Sequence, residues 1–188
     1  MKTIHTSRLT LSPPTPDDVE EIYRACQDPD IQQWTTVPSP YSWDDAAGFV
    51  TFTQSGWQSG ENRVWAIRLN NKLTGTIGLV DEGAGSAELG FWIAPEARKT
   101  GYTFEAARAV CDTGFQELKL QRITWHAYTG NPGSPAIAQK LGFTYEGLSR
   151  LGAIHRGQRR DQLQAGLLAT DDHSEYAAID TWPTKLRR

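Results

Sequence analysis

A mixed α/β fold with a largely antiparallel sheet is predicted by three features of the sequence. Segments at Val64–Leu69, Leu73–Val80 and Ala87–Ile93 read as strands, and Asn70-Asn71 and Gly83-Ala84-Gly85 between them are turn compositions, so the three make an antiparallel meander. Next, Phe104, Ala107, Cys111, Gly114, Phe115 and Leu118 recur at helical intervals and give one apolar stripe to lay on that sheet. The pattern then returns to a strand at Arg122–Tyr128, a helix at Pro135–Leu141 and a strand pair at Phe143–Ser149 and Gln162–Leu168.

The N-terminal part is read from its breakers. Arg8–Ser12 alternates as a strand and is closed by Pro13-Pro14. Thr15-Pro16-Asp17-Asp18 has a cap, a proline suited to the first helical position and acids at the positive end of the dipole, so a helix starts there and is expected to stop near Pro29. Ser42 is expected to cap a second helix reaching about Trp57. The proline-rich, aromatic segment Trp34–Tyr41 between the two is a candidate lid over a ligand. The basic run His155–Arg160 is expected to be a solvated hairpin turn.

Composition bounds the function. With 188 residues, 38% hydrophobic and 22% charged, the chain fits one globular domain, taken as residues 1–170 with a C-terminal tail at 171–188 that shows no clear pattern and reads as flexible or partner-bound. A net charge of −3 argues against non-specific nucleic-acid or membrane binding. Cys26 and Cys111 are expected to be reduced, buried thiols, which fits the cytoplasm, and no apolar run is long enough to cross a membrane. Phosphate-loop, dinucleotide, nucleophile-elbow and zinc-helix motifs are absent from the sequence, and four scattered histidines form no metal pattern. His126 is expected to be a packed or hydrogen-bonded strand histidine.

The stretch with chemical content is Glu88–Ala109, where a strand passes into a helix expected to begin near Phe104. Gly101 sits in that turn beside Arg98 and Lys99. Unpaired N–H groups and the positive end of the dipole make such a turn an anion site when no side chain crowds it. That favours a phosphate-bearing ligand, with a surface helix start carrying solvated Arg98 and Lys99 as the competing reading.

Arg98-Lys99-Thr100-Gly101-Tyr102-Thr103 resembles the R/Q-x-x-G-x-G/A pyrophosphate loop of the GNAT N-acetyltransferases. The preceding Glu88–Pro95 strand, Gly130-Asn131-Pro132-Gly133-Ser134, Lys140-Leu141-Gly142-Phe143, Asp28-Pro29-Asp30 and Trp34 extend the likeness over about residues 7–168, toward the RimJ/RimL-like branch that acetylates protein N-termini and other primary amines. The resemblance implies the GNAT acyl-CoA N-acyltransferase fold, a largely antiparallel splayed sheet flanked by helices. It implies acetyl-CoA as co-substrate, no metal, and direct transfer to a small-molecule or peptide amine by a monomer or homodimer.

Site residues follow from that resemblance. Arg98, Lys99, Thr100, Gly101, Tyr102, Thr103 and Phe104 are expected to bind the cofactor, although Thr103 and Phe104 replace the usual small and hydroxyl residues and promise fewer side-chain bonds to phosphate. Asn131 is a cofactor ligand or a turn former. Backbone amides near Ile93 and Ala94 are expected to steady the thioester oxygen, and Lys140 and Arg122 are candidates for the adenosine phosphate. An amine must lose a proton before attack. Strand alternation puts Glu88 on one face with Gly90 and Trp92, and it is the candidate carboxylate nearest the acceptor, acting directly or through water, with an ordinary strand glutamate that is solvated or orients the ligand as the competing reading. The tyrosine that serves many relatives as acid is replaced by Ala138, so Ser134 is the candidate to help the thiolate leave, with a plain helix cap as the competing reading. Trp34, Tyr41 and Trp92 are candidates for acceptor binding. Two other functions remain open: a non-catalytic acyl-CoA binding module, and a transferase for a longer or carboxylated acyl group.

Overall fold

Thr15 starts the first helical segment as its sequence dictates. In the computed structural model, which describes residues 3–187, the Thr15 amide donates to Asp18 Oδ2 at 2.7 Å, closing a capping box over a 3-10 turn, Pro16–Asp18, that runs into α1, Val19–Ala25. The helix ends four residues before Pro29 rather than at it. Pro29 instead begins α2, Pro29–Trp34, because Asp28 Oδ1 accepts the Ile31 amide at 2.9 Å and a proline at the first helical position has no N–H to lose. Trp34 is therefore the last residue of a helix, not the first of a loop. Ser42 caps α3, Trp43–Ser59, through a reciprocal box with Asp45, and Gly60 closes it in the left-handed conformation, φ 83°.

The strands are β1, Ile4–His5; β2, Thr10–Ser12; β3, Asn62–Leu69; β4, Lys72–Gly83; and β5, Ser86–Ile93. The helix α4, Tyr102–Gln116, is followed by β6, Arg122–Tyr128; α5, Ser134–Lys140; β7, Thr144–His155; and β8, Gln158–Leu168. Among the described strands, only the two-residue β1 had no counterpart in the sequence reading; among the helices, α2 had none. The last hairpin is longer than expected: β7 reaches His155 and β8 begins at Gln158, so the basic run lies mostly in strand and its turn is Arg156-Gly157.

Two compact units divide the chain. One holds the residues up to Asp81 together with Gly90–Val110, the other Glu82–Leu89 with the residues from Cys111 onward. In the first, β1, β2, β3 and β4 pair antiparallel in that order. Its core gathers Val19, Ile22, Cys26, Ile31, Tyr41, Ala46 and Val50 from the helical part against Ala66, Leu73, Trp92 and Ala94. Within it the Arg68 guanidinium meets Asp18 at 2.6 and 2.7 Å and Ser12 Oγ at 2.8 Å. Burial pushes the Asp18 carboxyl up, but the Arg68 and Thr15 hydrogen bonds outweigh it and hold it below its ordinary value.

In the second unit the strand order is β5, β6, β8, β7. The β5 start runs parallel to β6 over three pairs, Ser86↔Arg122, Ala87↔Ile123 and Glu88↔Thr124, and β6 continues to Tyr128 antiparallel to β8. The segment expected to be a flexible or partner-bound tail packs on its own unit. Trp182 is 1% exposed, its indole N–H donates to the Phe143 carbonyl at 2.8 Å, and Gln139 Nε2 donates to Leu186 O at 2.6 Å. A buried tryptophan offers more apolar area than most side chains and needs one acceptor, and both conditions are met here.

The Asp18–Arg68 pair generates a test. Asp18→Asn should lower stability at pH 7 by about 3 kcal/mol, because it leaves a buried guanidinium without its counter-charge. Since the folded pKa of Asp18 lies below its ordinary 3.8, the pair stabilises the fold above that value and loses its contribution as pH falls through the folded pKa. Denaturant titrations at pH 7 and pH 3 should show the gap between wild type and variant closing at the lower pH.

Candidate active site

The strand-to-helix turn is built to stay open. Lys99 and Gly101 both adopt left-handed φ, 60° and 84°, and α4 begins at Tyr102, two residues earlier than expected. Successive N–H groups in such a turn point the same way, and the first-turn amides of Tyr102 and Thr103 have no acceptor within the helix. A Cβ added at Gly101 would meet only Arg8 Nη2, at 3.3 Å. The Tyr102 amide donates to Thr100 Oγ1 at 3.4 Å.

The side chains around the turn are arranged less simply than the sequence implied. Arg98 donates to Asp28 Oδ1 at 2.5 Å and Asp30 Oδ2 at 3.1 Å, so its charge is spent on the start of α2. Burial raises the Asp28 carboxyl, but the Arg98 and Ile31 hydrogen bonds hold it below its ordinary range. Thr100 Oγ1 donates to Ala97 O at 2.7 Å, and the Phe104 ring lies 5.3 Å from the Arg108 guanidinium carbon. Lys99 is exposed and has no ion-pair partner among the described residues. Sequence reasoning missed Arg8. Its guanidinium lies 4.7 Å from the Tyr102 ring centroid, donates to Thr100 O at 3.0 Å and pairs with Glu105 at 2.6 Å. Nothing in the local pattern at Arg8 gives its place beside a turn more than ninety residues later.

The acid–base candidate has a partner. Glu88 Oε1 lies 3.3 Å from His126 Nδ1, and the two share a face because Glu88 is in register with Thr124, two residues before His126. The Glu88 hydrogen bond raises the imidazole pKa above its ordinary 6.5, partial burial opposes it, and the charges of Glu88 and Glu82 add to the rise. Glu82 itself accepts from Ser86 Oγ at 2.8 Å and Thr124 Oγ1 at 3.0 Å. His126 was expected to be a hydrogen-bonded strand histidine; the structure makes Glu88 its partner.

Ser134 does not cap α5. Asn131 Oδ1 accepts the Gly133 and Ser134 amides, both at 3.0 Å, which makes Asn131 the turn former. The Ser134 hydroxyl instead accepts the Trp125 indole N–H at 3.0 Å. Trp125 and His126 are neighbours on β6, so they present to opposite faces of that strand. One face of β6 thus serves Glu88 and the other Ser134.

Other expected residues sit elsewhere. Tyr41 and Trp92 are 6% and 8% exposed and belong to the core, where burial first of all, and then Cys26, push the Tyr41 hydroxyl pKa up. Burial likewise lifts the Cys26 thiol to about 12, so it is inert at neutral pH. Buried positions along β5 are Ala87, Leu89 and Trp92, so strict alternation, which grouped Trp92 with Glu88, does not hold through the strand. Trp34 is half-buried at the end of α2. The Ala94 amide donates to Thr74 O at 2.8 Å and is not available to a thioester oxygen; the adjoining Ile93 ends β5. Arg122 pairs with Glu146 and Lys140 lies 3.5 Å from Glu175, which removes both as ready phosphate ligands. Among the described residues no group of three or more His, Cys, Asp or Glu is placed to hold a metal ion, and no helix is long and apolar enough to cross a membrane.

Comparison with known proteins bears on the family and the fold. The family profile described as Acetyltransferase (GNAT) domain matches residues 8–144. YoaA of Bacillus subtilis (strain 168), an uncharacterized N-acetyltransferase, is 28% identical over 151 residues, covering 78% of this chain and 85% of the relative. Mycobacterium smegmatis RimJ, solved in complex with CoA-disulfide, superimposes with a TM-score of 0.83 at 21% identity over 94% of this chain and 91% of its own. Microcin C7 self immunity acetyltransferase MccE, solved with acetyl-CoA and AMP, gives 0.78 at 20% identity over 86% and 93%. The two structures share the fold, and the profile spans more than half of the sequence: the chain belongs to the GNAT acetyltransferase family.

Proposed function

We propose that the protein transfers an acetyl group from acetyl-coenzyme A to a primary amine, on a protein N-terminus or a small molecule, by direct attack in a ternary complex. The observation that carries the reading is the open turn at Arg98–Phe104, left-handed at Lys99 and Gly101 and leading straight into α4, within a chain of GNAT sequence. Backbone amides of that turn, with Lys99 as the nearby cation, bind the pyrophosphate, while Arg8, paired with Glu105, braces the turn. Arg98 acts at one remove by fixing the turn to α2.

The chemistry then needs a proton removed and a thiolate stabilised. Glu88, coupled to His126, takes the proton from the ammonium form of the acceptor; the free amine attacks the thioester carbonyl and the carbon–sulfur bond breaks. Ser134 donates a hydrogen bond to the departing sulfur, which takes up the second proton, shed by the attacking nitrogen as the amide forms, and ends as the thiol. Acidic Glu82 and Glu88 suit a cationic acceptor. A mass-spectrometric screen of amine acceptors with acetyl-coenzyme A tests the reading, since the product names the acceptor class. Binding of coenzyme A with no product from any amine would leave a binding module instead.

Two variants examine the turn and Glu88 separately. Gly101→Asp places a carboxylate where phosphate is to sit and forces a side chain into a left-handed φ, so coenzyme A affinity should fall by more than tenfold with the fold kept. Calorimetry on the folded variant reads this, and unchanged affinity would rule the turn out.

Glu88→Gln keeps the shape and removes the negative charge. The His126 pKa, raised mainly by Glu88, should drop toward or below its ordinary 6.5 in an NMR titration. The rate loss should be about 10²- to 10⁴-fold below the acceptor pKa and shrink as pH rises, because more of the amine is then already neutral. A pH–rate profile parallel to wild type would leave Glu88 only an orienting role.

A further inference from the structure

Ser134 is held from one side only. An indole N–H can donate but not accept, so in the 3.0 Å contact Trp125 is the donor and the Ser134 oxygen the acceptor. The Ser134 amide is taken by Asn131, and the next residue, Pro135, has no N–H. Among the described residues the hydroxyl proton has no acceptor, and Ser134 is partly exposed. A hydroxyl that accepts one hydrogen bond is polarised toward donating another, and the direction of that second bond is narrowed by the first.

Trp125 is in turn fixed by the C-terminal segment. It is 1% exposed, and its ring lies 5.7 Å from that of Trp182, tilted by 59°. Trp182 is locked by its indole bond to the Phe143 carbonyl and by Tyr145, whose ring is 5.3 Å away. The Tyr145 amide also donates to Thr181 Oγ1 at 2.8 Å. The residues after β8 therefore complete a rigid wall behind Trp125.

We propose that Trp125, backed by Trp182, is a positioning residue that aims the Ser134 hydroxyl at the leaving thiolate, so that the C-terminal segment contributes to catalysis through two indoles. This rests on the role given to Ser134 above. Trp125 touches no reacting atom. Its part is to occupy the oxygen lone pair that would otherwise let the hydroxyl turn away, and to raise the hydroxyl's donor strength. The alternative is that Ser134 serves only to satisfy a buried indole.

The pKa of the coenzyme A thiol in its complex with the full-length protein separates these readings, followed by thiolate absorbance, because a hydrogen bond to the thiolate lowers it. Ser134→Ala should raise this pKa by about 1 pH unit, the size expected when a hydrogen bond to a charged group is lost. Trp125→Phe keeps a ring against Trp182 but removes the donor, and should raise it in the same direction with coenzyme A affinity held within about threefold. In the Ser134→Ala background Trp125→Phe should add nothing, since it acts through the missing hydroxyl. Trp182→Phe, which loses the bond to Phe143 and part of the ring packed on Trp125 and Tyr145, is the second variant if Trp125→Phe does not fold, and should give a smaller rise.

No shift in Ser134→Ala would overturn the Ser134 role and this proposal with it. A shift there with none in Trp125→Phe, or in Trp182→Phe where that stands in for it, or an additive effect in the double variant, overturns the positioning role alone. Failure to bind coenzyme A at all would instead count against the proposed function.

Discussion

The carboxylate of Glu105 is the anchor on which the open turn depends. It lies in the first turn of α4 and accepts from Thr6 Oγ1 at 2.6 Å, Ser7 Oγ and the Arg8 amide at 2.9 Å, and Arg8 Nε at 2.6 Å. Burial works to raise its pKa, yet these donors pull it to about 2. A negative charge is already favourable at a helix N-terminus. Here it also draws the segment before β2 onto α4, which carries Arg8 to the edge of the turn without filling it. On the other side Arg98 grips Asp28 and Asp30. Between them the backbone of Lys99–Gly101 is held with left-handed φ at Lys99 and Gly101.

The groups assigned to proton transfer and leaving-group stabilisation are served by adjacent residues of one strand. Because side chains alternate along β6, His126 meets Glu88 on one face while Trp125 meets Ser134 on the other. A shift of one residue in the β5–β6 register would separate Glu88 from His126. The short parallel pairing thus fixes the Glu88–His126 contact. The loop ahead of α5, through Asn131, and the indole of Trp125 fix the hydroxyl.

Much of the architecture was legible because it is local. Caps at Thr15 and Ser42, turns at Asn70-Asn71 and Gly83–Gly85, and the stripe of α4 act within a few residues, and each appears where its chemistry puts it. Errors arose where one local signal admits two uses. Pro29 was read as a stop, but a proline is equally at home at the first position of a new helix, and Asp28 decided the matter by capping. Ser134 before Pro135 looked like a cap, whereas Asn131, three residues earlier, takes the amides. The C-terminal segment lacked any period to read, since it is tied down by single long-range contacts, of which Trp182 with Phe143 spans 39 residues.

By itself the sequence determined the family, the order of the strands and helices apart from β1 and α2, and the turn at Arg98–Phe104, since spacing, glycine and caps are properties of neighbouring residues. Tertiary structure alone decided which charges are spent and which stay available. Arg98 and Asp28 lie 70 residues apart, and Arg8 and Glu105 97. Whether a cation meets phosphate or a carboxylate, whether a strand histidine meets a glutamate, and whether a serine is a cap or a held hydroxyl all depend on pairings across the fold. Local periodicity carries no information on such pairings, because the free energy that selects them comes from the packing of whole elements.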